Sequence, residues 1–216
     1  MNYSVDFVMC IDATGSMKPF MSEVKANVLS FYRKFVEYME ARECSVDQLR
    51  IKVIAFRDYG CDSEPMVESR FFVLDDEVEE LYSFVDKIEA KGGRAGGQNA
   101  LEALALAMKS DWVRTGTRRR HAIILWTDGD ALELGVRRNR PLYPFDMPRT
   151  LEELKNEWDE KMDRSGKRLI LFAPDIWPWS DMIDWDCTFH QAFQAGKGCS
   201  DYDIDCAIRL IAPNDL

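Results

Sequence analysis

The chain alternates between short, mostly apolar runs and longer stretches in which apolar residues recur every third or fourth position. The apolar runs lie at residues 5–11, 51–56, 121–127 and 169–173. Runs of this length are typical of strands that are buried on both faces of a sheet. Helical spacing is found at residues 20–41, 78–88, 101–112, 151–162 and 204–211. Because the two patterns alternate, they predict an α/β fold, a doubly wound and mostly parallel sheet with helices on both faces.

Glycine, proline and polar residues mark the connections between these elements. Residues 58–65 and 130–149 are predicted loops, and four glycines between positions 92 and 97 form a glycine-rich loop before the third helix. Thr150 and Glu153 have the spacing of a capping box, which begins the helix at residue 151. Residues 69–74 predict a short strand and residues 188–194 an edge strand. No repeat or linker divides the chain, so we expect one domain over residues 1–216.

Oxygen-bearing side chains gather where two of the predicted strands end. Asp12, Thr14 and Ser16 follow the first apolar run directly, and Asp128 follows the third run within the string Thr-Asp-Gly. In a parallel sheet the carboxyl ends of the strands meet at one edge, where ligands bind. Carboxylates and hydroxyls suit Mg²⁺ or Mn²⁺ better than zinc or copper. The sequence therefore predicts one cation site at this edge, although Asp12 and Ser16 alone would also suit a helix cap.

The chemistry of this set favours binding over catalysis. It contains no nucleophile paired with a base, and the two histidines, His121 and His190, lie outside it. Hydroxyls are weak ligands, which suits a cation that stays electrophilic and accepts one anionic ligand from outside. Arg57 and Asp58 end the second strand near the same edge, either as an ion pair that supports the loop or as groups that orient metal-bound water.

Composition narrows the range of partners and locations. The 216 residues carry a formal net charge of −10, which argues against nucleic acid or an anionic membrane surface as partner. No basic leader precedes the first apolar run, and no run reaches the length of a membrane span. We therefore expect a cytoplasmic protein whose six cysteines are reduced. A zinc set of Cys187, His190, Cys199 and Cys206 is the less favoured alternative, because its spacing fits no usual zinc pattern.

The strings that carry the predicted ligands resemble a known motif. Asp12-x-Thr14-x-Ser16, followed by a glycine-rich loop and by Asp128, resembles the metal-ion-dependent adhesion site of von Willebrand factor A domains. "DATGSM" together with "AFRDYG" is similar to an intracellular bacterial and protist branch of that family. The resemblance implies a Rossmann-like, six-stranded sheet with one antiparallel edge strand. It also implies a binding module without enzymatic activity, in which Asp12, Thr14, Ser16 and Asp128 are metal ligands.

The middle loop departs from the family's pattern. The family usually has Thr after the paired glycines, or Asp in the intracellular branch, and this chain has Gln98 and Asn99 there. A carboxamide oxygen can bind Mg²⁺ without adding charge, so Gln98 is the candidate middle ligand. Two alternatives stay open for the whole protein. One is a Mg²⁺-dependent phosphohydrolase on a doubly wound fold, and the other is a scaffold whose metal site is degenerate.

The resemblance implies a protein partner whose Asp or Glu carboxylate completes the coordination of the metal. Intracellular members of the family suggest an adaptor in a bacterial multi-protein stress-response or defence system. Arg137, Arg138 and Arg140 follow Asp128 in an otherwise acidic chain. They form either a basic collar for such an acidic partner or an ordinary solvated loop. The sequence carries no prediction of an oligomeric state.

Overall fold

The computed structural model describes residues 2–94, 96–193 and 203–212, and these form one seven-stranded sheet with helices on both faces. The strands are β1 (Asn2–Asp12), β2 (Ser45–Phe56), β3 (Met66–Glu68), β4 (Phe72–Val73), β5 (Arg119–Trp126), β6 (Lys167–Pro174) and β7 (Thr188–Phe193). The helices are α1 (Met21–Glu40), α2 (Val78–Asp86), α3 (Ala100–Met108), α4 (Leu151–Lys161), α5 (Trp179–Met182) and α6 (Ile204–Ile211).

The strand order places β1 at the centre of the sheet. The order is β3-β2-β1-β5-β6-β7, and β2, β1, β5, β6 and β7 run parallel. The predicted α/β fold with a mostly parallel sheet is therefore confirmed. The chain leaves β1 toward β2 on one side and later returns to pair β5 on the other side. The carboxyl end of β1 is thus a topological switch point, the place where open α/β sheets form their binding crevice.

The antiparallel edge of the sheet is divided into two short strands. β3 pairs with the carboxyl end of β2, and β4 pairs further back along the same strand. Ser69 spans the gap, because its backbone N–H donates to Val53 O (2.9 Å) and its Oγ accepts from Val53 N (2.8 Å). The sequence predicted only the second piece, as a longer strand at 69–74. Three residues in β3 are too few to show a strand periodicity.

Each face of the sheet carries its own core. Alternate residues of β1 point to opposite faces, as the pleat requires. Val5, Phe7 and Met9 pack with α1, α2 and α6, and Phe7 makes edge-to-face contacts with Phe31 and Phe35, both at 5.1 Å between ring centroids. On the other face Val8 and Cys10 pack with α3, α4 and α5. Because both faces are covered, β1 is apolar from Phe7 to Ile11, and it ends at the buried Asp12.

The predicted helices are present, with small differences at their ends. Thr150 caps α4, since its Oγ1 accepts from Glu153 N at 3.1 Å. α3 ends at Met108, and Trp112, which the periodicity had placed on this helix, packs after its end. The short helix α5 lies within residues 174–187, where no sequence pattern predicts an element. None of the described helices has the length and apolar character needed to cross a membrane.

Candidate metal centre

The predicted ligands come from three segments that meet at the carboxyl edge of the sheet. Asp12 is the last residue of β1, and the chain then forms a short 3₁₀ turn (Gly15–Met17) before α1. Asp128 lies two residues after the end of β5, the neighbour of β1. Gln98 precedes α3, and its backbone O accepts from Leu132 N at 2.8 Å. The structure therefore brings all three loops to the topological switch point.

Hydrogen bonds join the side chains of the first and last loops. Asp12 Oδ1 accepts from the backbone N–H of Thr14 (2.9 Å) and from its hydroxyl (2.6 Å). Asp12 Oδ2 accepts from the hydroxyl of Thr127 at 2.7 Å. Ser16 Oγ donates to Asp128 Oδ1 at 2.9 Å. Asp12 is fully buried, and its two carboxylate oxygens are bound to the hydroxyls of Thr14 and Thr127.

Three neutral side-chain oxygens belong to the cluster, those of Thr14, Ser16 and Gln98. Thr14 Oγ1 and Ser16 Oγ lie 3.1 Å apart, and each hydroxyl is also within hydrogen-bond distance of a carboxylate. Gln98 Oε1 is buried and has no hydrogen-bond partner within the described residues. A buried acceptor without a donor is costly. A cation held among these oxygens would remove that cost.

The amide nitrogen of Gln98 fixes its place in the cluster. Nε2 lies 3.5 Å from Thr14 Oγ1, and the side chain is buried next to Gly129. A β-carbon at position 129 would lie 3.3 Å from Gln98 Oε1, so the glycine of the Thr-Asp-Gly string leaves room for this side chain. Asn99, the other candidate of the middle loop, instead accepts from Tyr59 N at 2.9 Å. Of the two amides, Gln98 is the one that joins the cluster.

The electrostatics of the cluster also favour a positive ion. Burial raises the pKa of Asp12 to about 6, and its hydrogen bonds to Thr14 and Thr127 counter only part of that rise. The negative charge of Asp128 adds a smaller upward contribution. Burial likewise raises the pKa of Asp128 above its usual range. Two carboxylates held close in a buried setting are stabilised by a nearby cation.

The donor set determines which cation suits the site. Within the described residues no group of three or more histidine, cysteine or carboxylate side chains is placed to hold a metal. The cluster has two carboxylates, and its other oxygens belong to two hydroxyls and one amide. Such hard, mostly neutral donors fit Mg²⁺ or Mn²⁺ and leave the ion net positive charge toward further ligands. The residues present therefore fit Mg²⁺ or Mn²⁺, but they carry less negative charge than a site built mainly from carboxylates.

The cluster forms the floor of an open cleft of about 440 Å³. Its walls are the 3₁₀ turn, the glycine-rich loop and the segment that follows β5. The lining residues are Thr14, Gly15, Ser16, Gly92, Gly93, Arg94, Gly96, Gly97, Gln98, Asp128, Gly129 and Asp130. Six of these residues are glycines, so backbone rather than side chains surrounds the oxygen cluster. A ligand from outside can therefore approach Thr14 and Ser16 without displacing a bulky side chain.

A buried arginine holds the loops around the cleft in place. Arg57 donates from Nε to Ala13 O (3.0 Å), from Nη1 to Glu64 O (2.8 Å) and from Nη2 to Glu89 O (2.8 Å). These carbonyls belong to the loop after β1, the loop after β2 and the segment before the glycine-rich loop. The prediction that Arg57 forms an ion pair with Asp58 is wrong, because Arg57 binds these carbonyls instead. Arg57 supports the site through backbone carbonyls, a role that no sequence pattern indicates.

Asp58 pairs with a different arginine, at the far side of the rim. Arg137 donates to Asp58 Oδ1 (2.8 Å) and Oδ2 (3.0 Å) and joins the loop after β2 to residues 130–149. Burial raises the pKa of Asp58, but hydrogen bonds from Arg137 and Gly60 outweigh it and leave the pKa below its usual value. The basic-collar hypothesis is therefore wrong for Arg137. Arg138 and Arg140 are exposed, and neither lines the cleft.

Other candidate groups lie away from the oxygen cluster. His190 Nε2 contacts Ala173 O at 2.9 Å, and Cys187 Sγ lies 3.8 Å from Arg164 O. Cys199, another member of the alternative zinc set, falls outside the described residues. Trp179 of α5 is buried and donates to Gly129 O at 2.9 Å, which supports the turn that carries Asp128. No sequence pattern indicates this contact.

Comparisons with known proteins give the class of fold. No protein-family model and no curated protein match the chain. Solved structures do match it, and they are von Willebrand factor A-type domains. Over 96% of the chain, the von Willebrand factor type A protein from Catenulispora acidiphila aligns with a TM-score of 0.57 at 14% identity. At this level of identity the likeness defines the fold, and function has to be argued from the site.

Two further structures show the same fold in larger proteins. The pilus adhesin SpaC from Lactobacillus rhamnosus GG aligns over 95% of the chain with a TM-score of 0.56 at 14% identity. Proximal thread matrix protein 1 of the mussel byssus, solved with a zinc-occupied MIDAS motif, aligns over 96% with a TM-score of 0.55 at 13% identity. The chain covers 43% of the Catenulispora structure, 29% of SpaC and 45% of the byssus protein. It therefore spans less than half the length of each.

Proposed function

We propose that this chain is a metal-dependent protein-interaction module. Asp12, Thr14, Ser16, Gln98 and Asp128 would hold one Mg²⁺ or Mn²⁺, and a partner protein would supply an Asp or Glu carboxylate. The observation that carries the proposal is the buried Oε1 of Gln98, which has no partner within the described residues, beside the hydroxyls of Thr14 and Ser16 in an open cleft. Such an arrangement is unfavourable by itself and becomes favourable around a cation.

Each residue has a separate part in this function. Asp12 and Asp128 provide the negative charge, Thr14 and Ser16 present neutral oxygens to the cleft, and Gln98 replaces the family's middle ligand. When bound, the ion would offer one electrophilic position to an external carboxylate. Arg57 keeps the loops at the spacing that the cluster needs. Because the ligand set carries only two charges, the partner's carboxylate contributes a larger share of the binding than it would at an acidic cage.

We propose further that the module is not an enzyme. A phosphohydrolase of the alternative type needs a nucleophilic Asp followed two residues later by a second acid. Here that position is Thr14, whose hydroxyl is bound to Asp12. Hydrolysis of a generic phosphate ester that survives repurification and disappears in Asp12→Asn would overturn this part of the proposal. A degenerate scaffold is the second alternative, and absence of metal binding in wild type would favour it.

Peptide selection tests the proposed recognition directly. A random peptide library displayed on phage would be panned on the immobilised chain in Mg²⁺ and eluted with EDTA. We expect the eluted peptides to be enriched in Asp and Glu, because a carboxylate is the ligand that completes the site. Panning on Asp12→Asn is the matched control and should give no such enrichment. Equal enrichment from both proteins, or none from wild type, would contradict the proposal.

Two substitutions of Gln98 are expected to change the affinity for Mn²⁺ in opposite directions. Gln98→Glu is expected to raise the affinity for Mn²⁺ about tenfold, since it adds a carboxylate where the amide oxygen now lies. Gln98→Met fills a similar volume without an oxygen and is expected to lower the affinity by a similar factor. Calorimetric titration of Mn²⁺ into each purified variant measures both changes. If neither variant differs from wild type, Gln98 is not part of the metal site.

The cellular setting belongs to the same proposal. We place the chain in the intracellular "DATGSM" branch, as a cytoplasmic adaptor in a bacterial multi-protein stress-response or defence system. Free thiols support a reducing compartment, and within the described residues the five cysteines form no disulfide. Rapid alkylation of the chain in cells, followed by mass spectrometry, should find these thiols modified. A disulfide among them would contradict the assigned compartment.

A further inference from the structure

Arg94 is the one basic side chain that lines the candidate metal cleft, among the residues that the structure describes. It is exposed, and it makes no hydrogen bond or ion pair with any described residue. The other charged residues at the cleft are Asp128 and Asp130, and neither is bound to it. The guanidinium of Arg94 therefore has its full set of five donors available to a ligand from outside.

The other basic side chains at this edge of the sheet already have hydrogen-bond or ion-pair partners within the protein. Arg57 donates to three backbone carbonyls, and Arg137 is bound to both oxygens of Asp58. Lys91 forms ion pairs with Glu89 (3.1 Å) and Glu64 (3.8 Å). These three residues hold loops together. Arg94 differs from them because no contact among the described residues gives it a structural role.

Fixed backbone on both sides determines where Arg94 can reach. Before it, Gly93 N donates to Asp62 Oδ2 at 3.1 Å, and a β-carbon on Gly93 would lie 2.8 Å from Thr14 Cβ. After it, Gly97 has a φ of +97°, and a β-carbon there would lie 2.9 Å from the backbone of Ala131. Both glycines are required by close contacts with the ligand-bearing loops. Arg94 is part of the lining of the cleft, and its exposed side chain has no partner among the described residues.

We propose that Arg94 binds a second carboxylate of the partner, next to the one that reaches the metal. A guanidinium pairs with a carboxylate through two parallel hydrogen bonds, which a single ammonium group does not reproduce. The partner segment would then contain two acidic residues close in sequence, and Arg94 would select it over segments with one. This inference rests on the proposed metal-dependent function and assigns the specificity of the same cleft. It replaces the basic collar that the sequence suggested at residues 137–140.

Designed peptides test this assignment. One series would contain two Glu residues separated by zero to three glycines, and a reference peptide would contain a single Glu at the same total length. Binding would be followed by amide chemical shifts of the ¹⁵N-labelled chain in Mg²⁺ and in EDTA, at constant ionic strength. We expect the best two-Glu peptide to bind wild type about fivefold more tightly than the reference.

Two variants separate Arg94 from general charge effects. Arg94→Gln removes the guanidinium and its charge but keeps a polar side chain. It should remove the fivefold advantage while leaving affinity for the single-Glu peptide nearly unchanged. Arg138→Gln, the matched loss of an exposed charge outside the cleft, should keep the advantage.

The outcomes distinguish the role of Arg94 from the proposed metal-dependent function. If the two-Glu advantage survives in Arg94→Gln, or is absent from wild type, the role of Arg94 is wrong and the metal-dependent function stands. If no acidic peptide binds wild type in Mg²⁺, or binding is equal in EDTA, the proposed function fails and the role of Arg94 fails with it.

Discussion

Exchange of Arg57 for Met is expected to lower the free energy of unfolding by about 3 kcal/mol. The guanidinium is buried and donates to the carbonyls of Ala13, Glu64 and Glu89, so its loss removes three hydrogen bonds that join three loops. Ala13 O keeps the hydrogen bond from Lys91 N (3.0 Å), and the other two carbonyls lose their donor. Removal of a buried positive charge is favourable and offsets part of that cost. Methionine fills a similar volume but supplies no hydrogen bond. Urea denaturation, with midpoint and slope both fitted, measures the change.

Arg138→Met is the matched control for this experiment. Arg138 is exposed, so the same substitution there should change stability by less than about 0.5 kcal/mol. We also expect Arg57→Met to weaken metal binding, since Ala13 directly follows Asp12 and its position depends on the arginine. A loss below about 1 kcal/mol in Arg57→Met would show that the loops hold themselves in place without it.

Asp12→Asn is expected to abolish the stabilisation of the chain by Mg²⁺. In wild type, Mg²⁺ at ten times its dissociation constant should add about 1.4 kcal/mol, or raise the melting temperature by about 3–6 °C. The asparagine oxygen can still accept from Thr14, and the hydroxyl of Thr127 can turn to accept from the new amide. The variant should therefore fold normally in EDTA and lose only its response to the ion.

Asp130→Asn controls for the loss of charge in the cleft. Asp130 lines the cleft, yet its side chain has no hydrogen bond to the cluster within the described residues, so most of the Mg²⁺ response should remain. Differential scanning calorimetry of wild type and both variants, in EDTA and in Mg²⁺, gives the comparison. An equal response in wild type and Asp12→Asn would contradict the assignment of Asp12 to the metal site.

Much of the site could be predicted because its residues follow buried strands. Asp12 and Asp128 come at the ends of β1 and β5, and the apolar runs before them locate those strands without knowledge of the rest. The rule for parallel sheets then places both aspartates at one edge. Thr14 and Ser16 lie within four residues of Asp12, so their place in the cluster follows from the same strand end.

The supporting contacts could not be predicted, because they depend on distances between loops. Arg57 and Asp58 are adjacent in sequence, and their opposite charges suggested a pair. In the structure Arg57 binds backbone carbonyls, while Asp58 binds an arginine 79 residues away. Carbonyl acceptors leave no trace in a sequence, since every residue has one. The role of Arg94 could not be predicted for the same reason, because only the structure shows which basic side chains already have partners.

The edge of the sheet was incompletely predicted for a different reason. β3 and β4 have three and two residues, and neither is long enough to display alternation. What defines them is pairing with β2, which Ser69 keeps in register across the gap between them. α5, with four residues, likewise depends on tertiary contacts such as that of Trp179 with Gly129. Short elements of this kind are fixed by packing and not by local propensity.

A count of bound Mn²⁺ shows whether the chain has the proposed metal centre. Metal-free protein would be titrated with Mn²⁺ while the electron paramagnetic resonance signal of the free ion is recorded, and Mg²⁺ would then be added as a competitor. We expect one Mn²⁺ per chain in wild type, its release by Mg²⁺, and no bound ion in Asp12→Asn. Absence of binding in wild type at millimolar Mn²⁺, or the same stoichiometry in both proteins, would contradict a metal centre built by Asp12, Thr14, Ser16, Gln98 and Asp128.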